Sequence, residues 1–219
     1  PALQCVTCMS VEVPLARLLE HPAIWRGRSA ARVATVSTGF PALDERLPGH
    51  GWPRAGLVEI LIARFGIGEL QLLMPALATL TGRTAARWCA WIAPPLEPFA
   101  PALAAHGLAL ERVLVVRTDT PLWAFEQALG SGACDAALAW ARRAHLRDIR
   151  RLQLATERGR TLGILFRALR AARDSSCAAL RLALEPAPHG VRVTLLKSRG
   201  GLRGSVELSW PPAVAARGS

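Results

Sequence analysis

Apolar positions along this chain follow two rhythms. Short, nearly unbroken apolar runs occupy Leu57–Ile62, Arg87–Ala93, Val113–Val116, Ala136–Trp140 and Thr161–Phe166. Runs this short and this uniform predict strands buried on both faces. Between them the apolar spacing shifts to three and four. Glu69–Thr81 places Leu72, Leu73, Ala76, Leu77 and Leu80 on one side and stops near Gly82, while Pro98–His106, Pro121–Leu129 and Arg147–Arg158 also read as helices. Strands alternating with helices predict an α/β fold, a mostly parallel sheet with helices on both faces. After Ala178 the segments Leu180–Leu184, Val191–Leu196 and Gly204–Leu208 are strand-like and joined by short turns, which predicts an antiparallel C-terminal edge.

The ends of the chain read differently. Leu15, Leu18 and Leu19 follow Pro14 on one face of a short amphipathic helix, and Ala23–Val36 then lacks any strong period. A stripe that short needs a surface to dock on, so Leu15, Leu18 and Leu19 are candidate partner-docking residues. From Pro211 the chain is rich in Pro, Ala, Arg and Gly, which predicts a disordered tail. The expected organisation is an N-terminal extension over 1–36, a core over 37–210 and a tail over 211–219.

Length and composition add limits. A chain of 219 residues with 51% hydrophobic content suits one well-buried core domain. Apolar runs break well short of the roughly 18 residues that a membrane span needs, and no signal-peptide pattern opens the chain, so a soluble cytoplasmic protein without membrane contact is expected. Met9-Ser10 reads as a start, which makes residues 1–8 upstream translation or a disordered tail. Net charge is +11, and Lys197 is the only lysine, so the charge is carried by arginine. That balance permits an acidic partner or nucleic acid without choosing between them. Cys89, Cys134 and Cys177 lie in apolar stretches as small hydrophobes, and Cys5-x-x-Cys8 has no second pair to make a metal site.

The segment from Ser37 to Met74 is where chemistry is expected. It runs turn, strand, loop, helix, with Arg64-Phe65-Gly66-Ile67-Gly68 as the loop. A loop between a buried strand and a helix is where many nucleotide-binding proteins cradle phosphate, using free backbone N–H groups and a Gly-Lys-Ser/Thr ending. Here Glu69 stands at the lysine position and Leu70 at the metal-binding hydroxyl position.

Ser37-Thr38-Gly39, Leu43-Asp44, Leu47, Gly49, Gly51, Pro53, Gly56 and Val58-Glu59-Ile60 resemble the segment that precedes the nucleotide loop in RecA-type recombinases, and the likeness continues more weakly to about Leu208. The chain as a whole most resembles the ImuA family, RecA-like accessory proteins of bacterial damage-induced mutagenesis. The resemblance implies a RecA-like P-loop core. It also places Ala93-Pro94-Pro95 where a water-activating glutamate belongs and Trp140 where a magnesium-supporting aspartate belongs. Glu69, Leu70, Pro95 and Trp140 together imply a degenerate nucleotide site, hence a pseudo-ATPase with no cofactor and no catalytic residue. Asp135, at the opposite end of its strand, reads as a surface or turn residue.

Arginine clusters at Arg142, Arg143, Arg147, Arg150 and Arg151, and again at Arg167, Arg170 and Arg173. In the resemblance these flank the places where RecA carries its DNA-binding loops. A solvated helix face, a partner protein, or weak and non-specific DNA contact are each compatible with them. The function implied is a non-catalytic adaptor of SOS-induced translesion synthesis that links RecA to an ImuB-like polymerase homologue. The alternative is an SOS cell-division inhibitor like SulA, which would bind the tubulin-like division protein.

Overall fold

Strand β3 (Gly56–Ile62) is buried along its whole length, and the sheet is laid out from it. In this computed structural model residues 34–141, 143–198 and 203–210 are described. Among them the further elements are β1 (Thr35–Val36), α1 (Pro41–Asp44), β2 (Trp52–Pro53), α2 (Met74–Thr81), β4 (Trp88–Ile92), α3 (Ala100–Ala105), β5 (Val113–Val116), α4 (Pro121–Gly130), β6 (Cys134–Trp140), α5 (Leu146–Gly159), β7 (Leu162–Ala168), β8 (Leu180–Ala187), β9 (Gly190–Ser198) and β10 (Gly204–Ser209). The main sheet has eight strands in the order β10-β9-β8-β3-β7-β6-β4-β5. Strands from β8 across to β5 run parallel, and β9 and β10 are antiparallel, so the expected antiparallel C-terminal edge is present.

Uniformly apolar strands need cover on both faces, and two separate cores provide it for all but the edge strand β5, whose Leu114 and Val115 are exposed. On one face Val58, Ile60 and Ile62 pack with Leu72, Leu77 and Leu80 around α2 and with Leu103 of α3. On the other, Leu57 joins Phe125 and Leu129 of α4 and Ile149, Leu152 and Ala155 of α5. Cys89 lies in the first core with the Trp91 Nε1 on its sulfur at 3.3 Å, and burial pushes its thiol up to about 12, so it behaves as a packing group. The longest departure from the expected elements is at α2, which begins at Met74 rather than Glu69. Hydrogen-bonded turns fill the interval, starting with Leu72 N–H to Gly68 O at 3.0 Å.

The matched segment before β3 has a structural job. Asp44 accepts from the Ser37 hydroxyl at 2.6 Å and the Thr38 N–H at 2.9 Å, and β1 pairs with β2 across the turn between them. Gln153 of α5 accepts from both Leu57 N–H and Ala179 N–H at 3.1 Å, fixing the helix against the starts of β3 and β8.

One residue in β3 breaks the apolar pattern. Glu59 is fully buried, and a buried carboxylate is tolerable only when paired. Its Oε1 lies 2.6 Å from Arg167 Nη1 of β7 and its Oε2 2.8 Å from Arg181 Nε of β8. Arg167 further donates to Ala144 O and Asp174 Oδ2, and Arg181 to Ala171 O and Asp174 O. Arg167 therefore does not belong to the surface cluster expected above: it is buried because Glu59 requires a cation. Asp135 is corrected too. It is buried at the start of β6, where Arg87 and Arg54 hold it at 3.1 and 3.3 Å and the Arg87 N–H donates to it at 2.8 Å.

Replacing Glu59 alone with Leu should lower stability in urea denaturation by about 3–5 kcal/mol, since Arg181 stays buried without a counter-charge and Arg167 keeps only the half-exposed Asp174. Adding Arg167→Met and Arg181→Leu should recover most of that loss. A single variant as stable as the parent would show that the triad is not the sheet's electrostatic anchor.

Candidate functional site

In a parallel sheet the carboxyl ends of the strands face one way, and the loops that leave them form the surface where ligands gather. Here those loops follow β3 at 63–69, β4 at 93–99, β5 at 117–120, β6 at 141–145 and β7 at 169–174. The degenerate positions predicted from sequence fall on this surface or directly beneath it.

The loop after β3 keeps the turns of a phosphate cradle. Gly66 and Gly68 hold φ of +82° and +97°, conformations that side chains rarely adopt. Two of its backbone donors are nonetheless taken. Glu69 curls back so that its carboxylate accepts from Gly66 N–H at 2.9 and 3.1 Å and from Ile67 N–H at 3.0 Å. The buried Glu69 thus supplies the anion internally, with the geometry in which a carboxylate satisfies several N–H groups at once. A Cβ on Gly68 would meet the Trp210 indole at 2.6 Å, so the indole packs on the loop, and the two line a cavity of about 750 Å³ with Arg64 and His189. Leu70, in place of a hydroxyl, packs against the first core.

Trp140 ends β6 and is buried, with its ring stacked on Phe166 at 4.9 Å and tilted against Trp91 at 6.0 Å. An aspartate here would point a metal-binding oxygen into the cleft, whereas the indole fills the floor with apolar surface. Pro95 is exposed on the loop after β4. Pro95 and Trp140 line one cavity of about 440 Å³ with Phe65 and Arg170.

Two further cavities adjoin it. One of about 900 Å³ lies between Trp123, Trp140, Arg143 and Arg170, and another of about 630 Å³ between Arg143, His145, Arg170 and Arg173. Arg170 lines all three. Among the described residues Arg64, Arg143, Arg170 and Arg173 make no ion pair or hydrogen bond. Arg150 is likewise exposed and unpaired on α5, while Arg151 is held by Glu126 of α4 at 2.5 Å and Arg147 lies 3.8 Å from Asp148. The predicted arginines therefore divide: Arg143, Arg170 and Arg173 converge on the cavities, and Arg147, Arg150 and Arg151 stand on the outer side of α5. Arg142, Leu15, Leu18 and Leu19 lie outside the described residues.

Sequence reasoning missed the apolar half of this surface. Leu96 is 76% exposed, Phe99 69%, Trp123 62%, Leu146 52% and Phe65 50%, all in carboxyl-end loops or the first turn of the helix that follows. Exposed Trp, Phe and Leu beside unpaired Arg is the composition of protein-docking surfaces. Three of them sit next to proline: Leu96 follows Pro94-Pro95, Phe99 follows Pro98 and Trp123 follows Pro121-Leu122. A large apolar residue in a proline-marked loop was the available signal.

No family model matches the chain. It is 32% identical over 119 residues to the cell division inhibitor SulA of Edwardsiella piscicida, an alignment that takes in 52% of this chain and 69% of that protein. Among solved structures, SulA from Pseudomonas aeruginosa is 26% identical, with 51% of this chain and 97% of that chain covered at a TM-score of 0.43.

Glu69→Ala should leave two loop N–H groups without an acceptor and lower stability by about 1–3 kcal/mol. Thermal melting checks it, and hydrogen exchange should show the Gly66 and Ile67 amides losing protection. Unchanged exchange at both amides would mean that the carboxylate does not hold the loop.

Proposed function

The chain belongs to the SulA family of SOS-related proteins, and from that premise we propose that it is a non-catalytic protein that acts by holding a protein partner at the carboxyl end of its sheet. The observation that carries this reading is Glu69, whose carboxylate takes the loop N–H groups that a nucleotide phosphate would need. Leu70, Pro95 and Trp140 supply neither a metal ligand nor a base, so the loop has lost both its binding and its hydrolytic chemistry. What the same face offers instead is apolar surface and unpaired arginine.

Between the two finer readings, the curated relative favours cell-division inhibition, since that is what its name states. On this reading the partner is the tubulin-like division protein. The translesion adaptor, joining RecA to an ImuB-like polymerase homologue, is the second reading. One observation favours it: the alignment with the inhibitor takes in 52% of this chain, and an adaptor with two partners has use for more surface.

Two measurements test the proposal. Calorimetry of the full chain with Mg-ATP should show no saturable heat at concentrations that would reveal a dissociation constant of about 100 µM, and saturable binding would end the non-catalytic reading. Affinity capture from cells treated with a DNA-damaging agent should return a specific protein. Recovery of the tubulin-like division protein supports inhibition, recovery of RecA with a polymerase-like protein supports the adaptor, and recovery of neither counts against partner binding altogether.

A further inference from the structure

Sheet order sorts the carboxyl-end surface into two flanks. Going outward from the centre the strands are β7, β6, β4 and β5. The loops after β7 and β6 carry Arg170, Arg173 and Arg143, all exposed and without an ion pair. Beyond β4 and β5 lie Leu96, Phe99 and Trp123, and the arginine on that side, Arg117, is already paired with Glu97. Trp140 forms the apolar floor where the two flanks meet, with Arg143 and Arg170 on its rim. The surface is therefore cationic on one side and apolar on the other.

We propose that this groove binds an extended acidic segment of a partner protein, with its carboxylates on Arg143, Arg170 and Arg173 and an apolar anchor seated against Trp123, Leu96 and Phe99. The assignment rests on the protein-binding reading above and names the chemistry of that partner.

Dimensions support an extended segment. From β7 to β5 there are three strand spacings, about 14 Å at roughly 4.8 Å each. An extended chain covers that in about four residues, so the acidic cluster and the anchor must be separated by that interval. Charge also argues against a nucleic-acid strand as the occupant. Nucleic acid repeats its charge at every nucleotide and would lay phosphates along the second flank, where Arg117 is already neutralised by Glu97 and Asp119 stands among apolar side chains. A segment that is acidic at one end and apolar at the other matches both flanks. Arginine forks suit carboxylates, and a desolvated aromatic beside them is where binding energy concentrates.

The test uses the full chain and fluorescence anisotropy with a labelled synthetic peptide. The peptide carries a run of glutamates, a spacer of about three or four residues, and a Leu-Phe anchor. Controls are the same peptide with lysine for glutamate, the same peptide with serine for the anchor, and labelled oligo-dT. Saturable binding of the acidic, anchored peptide is expected, with about tenfold weakening in an Arg143→Gln/Arg170→Gln variant and again in Trp123→Ser. These side chains are exposed, so the variants should melt with the parent, and Glu111→Gln, exposed just before β5 at the opposite end of the sheet, serves as a charge-changing control without effect.

Absence of peptide binding, or equal binding of the lysine peptide, overturns the proposal. So does oligo-dT binding more tightly than the peptide and losing affinity in the same variants, which would make the groove a nucleic-acid site. The failures of the two readings are distinguishable: saturable Mg-ATP binding ends the non-catalytic reading, whereas a protein that captures its partner in cells but ignores the peptide loses only this groove.

Discussion

Glu59 is the constraint from which much of this structure can be read. A carboxylate at the centre of a buried parallel strand must be matched by cations from neighbouring strands, and Arg167 and Arg181 come from the two strands that flank it. Their remaining donors then need acceptors, which are found at Ala144, Ala171 and Asp174. The triad thus fixes β8, β3 and β7 side by side and pins the segments that follow β6 and β7. Those segments carry Arg143, Arg170 and Arg173. Buried charge at the middle of the sheet therefore sets where the exposed charge at its end is displayed.

The same economy of internal pairing governs the loop after β3. Backbone N–H groups turned inward by Gly66 and Gly68 have to be satisfied, and the choice lies between a ligand and the protein itself. Glu69 provides an acceptor from within, adjacent in sequence and always present at high effective concentration. A free phosphate would have to displace that carboxylate and then sit beside its negative charge. Changing the lysine position to glutamate does more than delete an attractive group, because it installs a competitor.

The parallel sheet, its antiparallel edge and the four principal helices were legible in the sequence because each rests on a local period. β5 is predicted at the residues it occupies, α4 runs one residue further at its C-terminal end, and α5 one residue further at each end. What was not legible depends on pairing across the chain. Arg167 reads as one of a basic series by spacing alone, and nothing local says that Glu59, 108 positions away, claims it. Asp135 reads as a turn residue for the same reason, its partners Arg54 and Arg87 being remote. The signal that did exist for the triad was a lone glutamate inside the run Leu57–Ile62, an anomaly that demands a cation without naming which.

The proposed non-catalytic role and the proposed docking surface are linked by geometry. The carboxyl end of a parallel sheet is concave and loop-rich whatever its loops contain, because helices must turn back from the strand ends. When the residues there can hold a metal and a phosphate, that concavity is an active site. With Trp140 and Pro95 standing where acidic side chains would call for a metal, the cleft can be lined with apolar groups without burying unpaired charge. The floor is an aromatic cluster of Trp91, Trp140 and Phe166, the kind of apolar surface the proposed anchor needs. Among the described residues Arg170 and Arg143 make no ion pair, and an exposed arginine fork without a partner is a preorganised donor for a carboxylate from elsewhere. On the proposed reading, the residues that leave no place for a metal are also the ones that shape this surface for a protein.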